Sequence, residues 1–105
     1  MVRKRIQLEG VLNDANRGLS LANEVVASVS AGDSVAIDFI RVSRMTPSFS
    51  NAFMMKMLED IGVDSARKHV EFVNRNASVA SSLSTSYGRW TRGVRLSSQR
   101  PALTH

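Results

Sequence analysis

One stretch limits the architecture of this 105-residue chain more than any other: Ser34-Val35-Ala36-Ile37-Asp38-Phe39-Ile40, short, nearly continuously apolar and rich in β-branched residues. A run of that length and composition has the pattern of a strand covered on both faces, and it is the natural centre of a sheet. Before it, Ala31-Gly32-Asp33 breaks the chain, with Gly32 suited to the left-handed position that closes a helix. Turn and capping residues from Asn13 to Asn16 lead into Leu19, Ala22, Val25, Val26 and Val29, spaced for a helix that runs to about Ser30. After the strand, Phe49, Phe53, Met54, Met57, Leu58 and Ile61 fall on one side at 100° per residue, and Lys56, Glu59 and Asp60 on the other. Ser48 offers a hydroxyl at the N-cap of this second helix. Arg41 to Pro47 reads as a loop, because proline cannot donate to a ladder and biases Thr46 away from the helical basin.

The ends extend the same alternation. Residues 3–8, Arg-Lys-Arg-Ile-Gln-Leu, form a short strand whose basic side chains blunt an exposed edge. Past Gly62, a turn or brief helix at Asp64–Lys68 leads into a strand within His69 to Asn74. Asn76 or Ser78 caps a last helix whose Val79, Ala80, Leu83, Tyr87 and Trp90 face the core. Strand, helix, strand, helix, strand, helix implies an α/β fold, a short, mostly parallel sheet packed against about three helices. A chain of 105 residues has volume for one core, so residues 1–93 are expected to form one domain and 94–105 a basic, flexible C-terminal tail.

Several kinds of chemistry are excluded. With no cysteine there is no disulfide, thiolate metal cluster or nucleophilic thiol. His69 and His105 show neither HxxxH spacing nor a triad pattern, so no metal site is expected, and the six glycines form no phosphate-cradling motif, so no nucleotide cofactor is expected. Asp38 lacks a partner carboxylate or histidine at motif spacing; its expected role is structural, hydrogen-bonding the Arg41–Pro47 loop. No catalytic constellation emerges, and the chain reads as a non-enzyme. MVRKRIQLEG carries no continuous apolar segment of the secretory type and no run spans a membrane, which points to the cytoplasm.

The residues also carry a family likeness. Gly32 to Phe39, then Ile40-Arg41-Val42, then Thr46-Pro47-Ser48-Phe49-Ser50-Asn51-Ala52-Phe53 resemble the core of the bacterial STAS-like domains. Val70-Glu71-Phe72-Val73-Asn74-Arg75-Asn76 is similar to that family's strand ending in Asn before its last helix, and the likeness covers roughly residues 5–92. It implies structural roles for Asp38, Phe39, Phe49, Phe53 and Asn74, and a module that binds partner proteins. The related anti-sigma-factor antagonists bind a kinase-like anti-sigma factor and are switched by phosphorylation of a Ser or Thr at a helix start. That position falls here at Thr46 or Ser48, although Met45-Thr46-Pro47-Ser48-Phe49-Ser50 lacks the antagonists' preceding Asp and following Gly-Leu-Gly.

Two functional readings follow. In the first, Arg41, Arg44, Met45, Ser48, Ser50, Asn51 and Met55 form a partner-binding surface for a histidine-kinase-like ATPase or anti-sigma factor, with Ser48 and Thr46 as candidate switches. A phosphate on Ser48 would meet free backbone N–H groups and the positive end of the helix dipole. The plainer role for Ser48 is to cap the helix, and for Met45, Met54 and Met57 to fill the core, with Met55 left exposed. In the second, the net charge of +5 serves a nucleic acid through Arg3, Lys4 and Arg5 at one end and Arg89, Arg92, Arg95 and Arg100 at the other. Helical phase assigns Tyr87 and Trp90 to the core and not to a basic-aromatic stacking surface.

Overall fold

The computed structural model describes the backbone of residues 3–103 and the side chains of residues 3–92. Its elements are β1 (Arg3–Leu12), α1 (Ala15–Ser30), β2 (Ser34–Met45), α2 (Pro47–His69), β3 (Val70–Val73) and α3 (Ala77–Leu103). The strands form a parallel three-stranded sheet in the order β1-β2-β3, with the apolar run at its centre as expected. Two successive crossovers step across the sheet in the same direction, and the right-handed preference of such connections puts α1 and α2 on one face. All three helices join a single apolar cluster with Ile6, Val35, Ile37, Phe39 and Val70.

Val35 to Phe39 are buried on both faces, as expected, but the helices cover one face only. Val35, Ile37 and Phe39 enter the core, while the alternate residues Ala36, Asp38 and Ile40 turn to the opposite face, where Ile40 is 61% exposed. Ala36 stays buried there because Arg5 and Glu71 flank it across the ladder, and Glu71 is tied to Arg3 by an ion pair.

Arg41 to Met45 is strand and not loop. β1 runs to Leu12, longer than residues 3–8, and continues to pair with β2 through Leu12 and Met45, with register shifts at Gln7/Glu9 and Gly10/Val11. This leaves Thr46 alone as the link to α2. In α1, Asp14 is the N-cap and accepts from the Asn16 N–H at 2.8 Å. Its buried line is Gly18, Leu21, Ala22, Val25 and Ser28, rotated from the expected one, and Leu19 is 40% exposed. The rotation follows from the contact with α2, where Gly18 lies against the backbone of Phe49 and Phe53 and small residues must face the partner helix.

Gly62 adopts φ 82°, ψ 164° and divides α2 into two helical pieces, the second of which ends as β3 begins. Asn76 accepts from the Val79 N–H at 2.9 Å and starts α3. The helical backbone continues through Leu103, and the basic tail expected over 94–105 lies outside the residues whose side chains are described. Among the described residues no helix is long and apolar enough to cross a membrane.

Candidate functional site

β3 stops at Val73, opposite Asp38, while β2 runs on to Met45. The unpaired edge of β2 beyond Asp38 must find other partners, since a strand's backbone groups are obligatory donors and acceptors. Side chains supply them. Asp38 Oδ1 accepts from the Ile40 N–H at 2.9 Å, and Asn76 Nδ2 donates to the Val42 carbonyl at 2.8 Å. The Met45 N–H donates to Ser78 Oγ at 3.3 Å, and Ser82 Oγ donates to the Met45 carbonyl at 2.8 Å. One turn later Ser86 Oγ lies 2.7 Å from both Ser50 Oγ and Asn51 Oδ1. Ser78, Ser82 and Ser86 recur every four residues and so share one line of α3, which ties that helix to the end of β2 and the start of α2.

This arrangement relocates several expected site residues. Met45 and Ser50 are enclosed, Met45 by the core and Ser50 by its hydroxyl contact with Ser86, so neither belongs to a partner-facing surface. Asn51 is half-buried and turned to Ser86. The N-cap of α2 is Thr46 rather than Ser48, with Pro47 in the first turn. Thr46 donates its N–H to the Leu12 carbonyl at 2.9 Å and its hydroxyl to the same oxygen at 3.3 Å, so its side chain makes no cap. Ser48 is exposed in the first turn, among N–H groups that side chain leaves uncapped. Met55, seven residues on and 47% exposed, lies on the same face of α2, and Arg41 and Arg44 are exposed on β2. The structure thus leaves Ser48, Met55, Arg41 and Arg44 each exposed and draws Met45 and Ser50 inside.

Phe39, Phe49 and Phe53 occupy the core. Asp38, 3% exposed, bonds not to the Arg41–Pro47 segment but to Asn74 Nδ2 at 2.9 Å, to the Ile40 N–H and to the Arg5 guanidinium. Asn74 reaches it by adopting φ 58°, which asparagine tolerates better than most residues. The Asn74 hydrogen bond, then the Ile40 N–H and the Arg5 guanidinium hold the Asp38 carboxyl below the ordinary carboxylate range, against the opposing effect of burial. A depressed folded-state pKa gives stability that is complete above the unfolded value, about 3.9, and is lost as pH falls through the lower folded value. Urea denaturation at pH 7, 4 and 3 is therefore expected to show a steeper acid loss for the wild type than for Asp38→Asn. Parallel pH profiles would contradict that role.

The sequence reading missed Asn76 as an edge partner and the line Ser78, Ser82, Ser86, although serines at four-residue spacing beside Val79 and Leu83 were the available signal. Tyr87, 37% exposed, is not a core residue; Trp90 packs in part against the core, and Arg89 and Arg92 are exposed. A family model described as a STAS-like domain of unknown function matches residues 18–80, more than half of the chain and including β2, α2 and β3. No curated protein and no solved structure matches it.

Proposed function

Because the chain belongs to the family of STAS-like domains of unknown function, we propose that it is a non-enzymatic regulatory module that binds a partner protein through the exposed start of α2. The observation that supports this most is the state of that helix end. Thr46 commits its hydroxyl to Leu12 and leaves the first-turn N–H groups without a side-chain cap, with the Ser48 hydroxyl beside them in solvent. A phosphate on Ser48 would gain from the helix dipole and bring nearly two negative charges to the face that carries Met55. In this reading a bacterial cytoplasmic partner, a histidine-kinase-like ATPase or anti-sigma factor, reads the charge of that surface.

Affinity capture from a lysate of the source cells, with bound proteins quantified by mass spectrometry, tests the proposal. Ser48→Glu is expected to change capture of the main partner by at least tenfold, while Ser48→Ala leaves it within about twofold and both variants keep wild-type circular dichroism. Equal capture by all three proteins would exclude the start of α2 from the contact.

A further inference from the structure

Away from the start of α2, β3 forms one edge of the sheet and is only four residues long. Beside it a groove of about 380 Å3 opens between the two pieces of α2 and α3, floored by Met57, Leu58, Val70, Phe72 and Leu83. Arg67 and Arg75 line the same groove from opposite ends of β3. A second, polar cavity of about 300 Å3 continues past the start of the strand, lined by Arg67, Lys68 and His69 together with the mutually ion-paired Arg3 and Glu71. Arg67, Lys68 and Arg75 form no ion pair or side-chain hydrogen bond with a described residue. Three unmatched cations thus bracket an apolar floor and an open strand edge.

We propose that this edge accepts an extended acidic segment of a partner protein as a fourth strand. The segment would place one or two bulky apolar side chains in the groove, and carboxylates toward Arg75 at one end and Arg67 and Lys68 at the other. Two features favour a peptide over an amphiphilic carboxylate. The cations stand at both ends of a strand that spans about 13 Å, more than a single headgroup reaches. The strand edge also offers backbone hydrogen bonds, which a hydrocarbon cannot use and an added strand does. Met54 and Met57 border the groove from the core side, and their unbranched side chains can adjust to an anchor residue seated above them. This contact is separate from the one at Ser48 and does not depend on it.

The test is selection of a random 12-residue peptide library on the intact chain, followed by amide chemical-shift mapping and anisotropy titration of the enriched peptides. The expected result is a consensus of Asp or Glu on both sides of one or two apolar residues, with the largest shifts at residues 70–75. Affinity should fall at least tenfold in the double variant Arg67→Glu, Arg75→Glu, whose positions are exposed, and stay unchanged in Ser48→Glu. An absence of enriched peptides, peptides indifferent to the double reversal, or binding in the groove without shifts in β3 would overturn the proposal. So would displacement of the selected peptides by micromolar dodecanoate, which would identify the groove as an amphiphile site. Loss of peptide binding leaves the Ser48 capture result untouched, so the two readings fail separately.

Discussion

Gly18→Leu is expected to yield no cooperatively folded protein, and Gly18→Ala a protein less stable than the wild type by about 1–3 kcal/mol, the usual range for overpacking. A Cβ at this position would lie 2.5 Å from the Phe49 carbonyl oxygen, 3.2 Å from the Phe53 nitrogen and 3.3 Å from the Ala52 Cβ. Two of the three obstacles are backbone of α2, which moves only if Phe49 and Phe53 leave the core with it. Replacing a glycine within a helix by alanine ordinarily favours the helix by up to about 1 kcal/mol, so the sign of the change separates close approach from propensity. Gly88 is the control: a Cβ there meets only the flexible end of Arg92 at 3.3 Å, and Gly88→Ala is expected to be neutral or stabilising. Urea denaturation of the three single variants decides the matter, and a Gly18→Ala protein as stable as Gly88→Ala would refute the account.

The second large effect is expected at Phe39, the β2 residue that anchors the sheet to its helices. It is 1% exposed, and its ring centroid lies 6.2 Å from that of Phe72, which in turn meets Phe53 edge-on at 6.1 Å. The three rings join β2, β3 and α2, so removing the first leaves a void that three elements would have to close together. Phe39→Ala is expected to lose about 3–5 kcal/mol, a large part of the stability of a domain this size. Phe39→Leu should retain most of it. A loss below about 1 kcal/mol for the alanine variant, read from urea midpoints at constant m-value, would show that the site collapses freely and that the rings are not a rigid joint.

Periodicity made most of the architecture legible. The apolar run at Val35 to Phe39, the Phe49 face of α2, the break at Gly62 and the turns at Gly32 and Asn76 all rest on local chemistry and stand where that chemistry puts them. What escaped was set by partners distant in sequence. An apolar run does not say what covers each of its faces, and here Arg5 of β1 and Asn74 of the bend after β3 shelter Asp38 on the helix-free side. β2 extends to Met45 because β1 accompanies it to Leu12, and that length moved the helix cap from Ser48 to Thr46. Gly18 reads as a mild defect in a helical pattern until α2 is laid against it. In the candidate site, the exposure of Ser48 and Met55 followed from helical phase, whereas the enclosure of Met45 and Ser50 required the serines of α3.

Those serines, with Asn76, have an effect on solubility that no burial figure records. Hydroxyl and amide groups stand along the far stretch of β2 where a neighbouring molecule's backbone would otherwise dock, and they occupy the Val42 carbonyl and both backbone groups of Met45. Edge-to-edge stacking of one chain on the next would have to displace these bonds first, and the protection comes from residues that a hydrophobicity scale counts as indifferent.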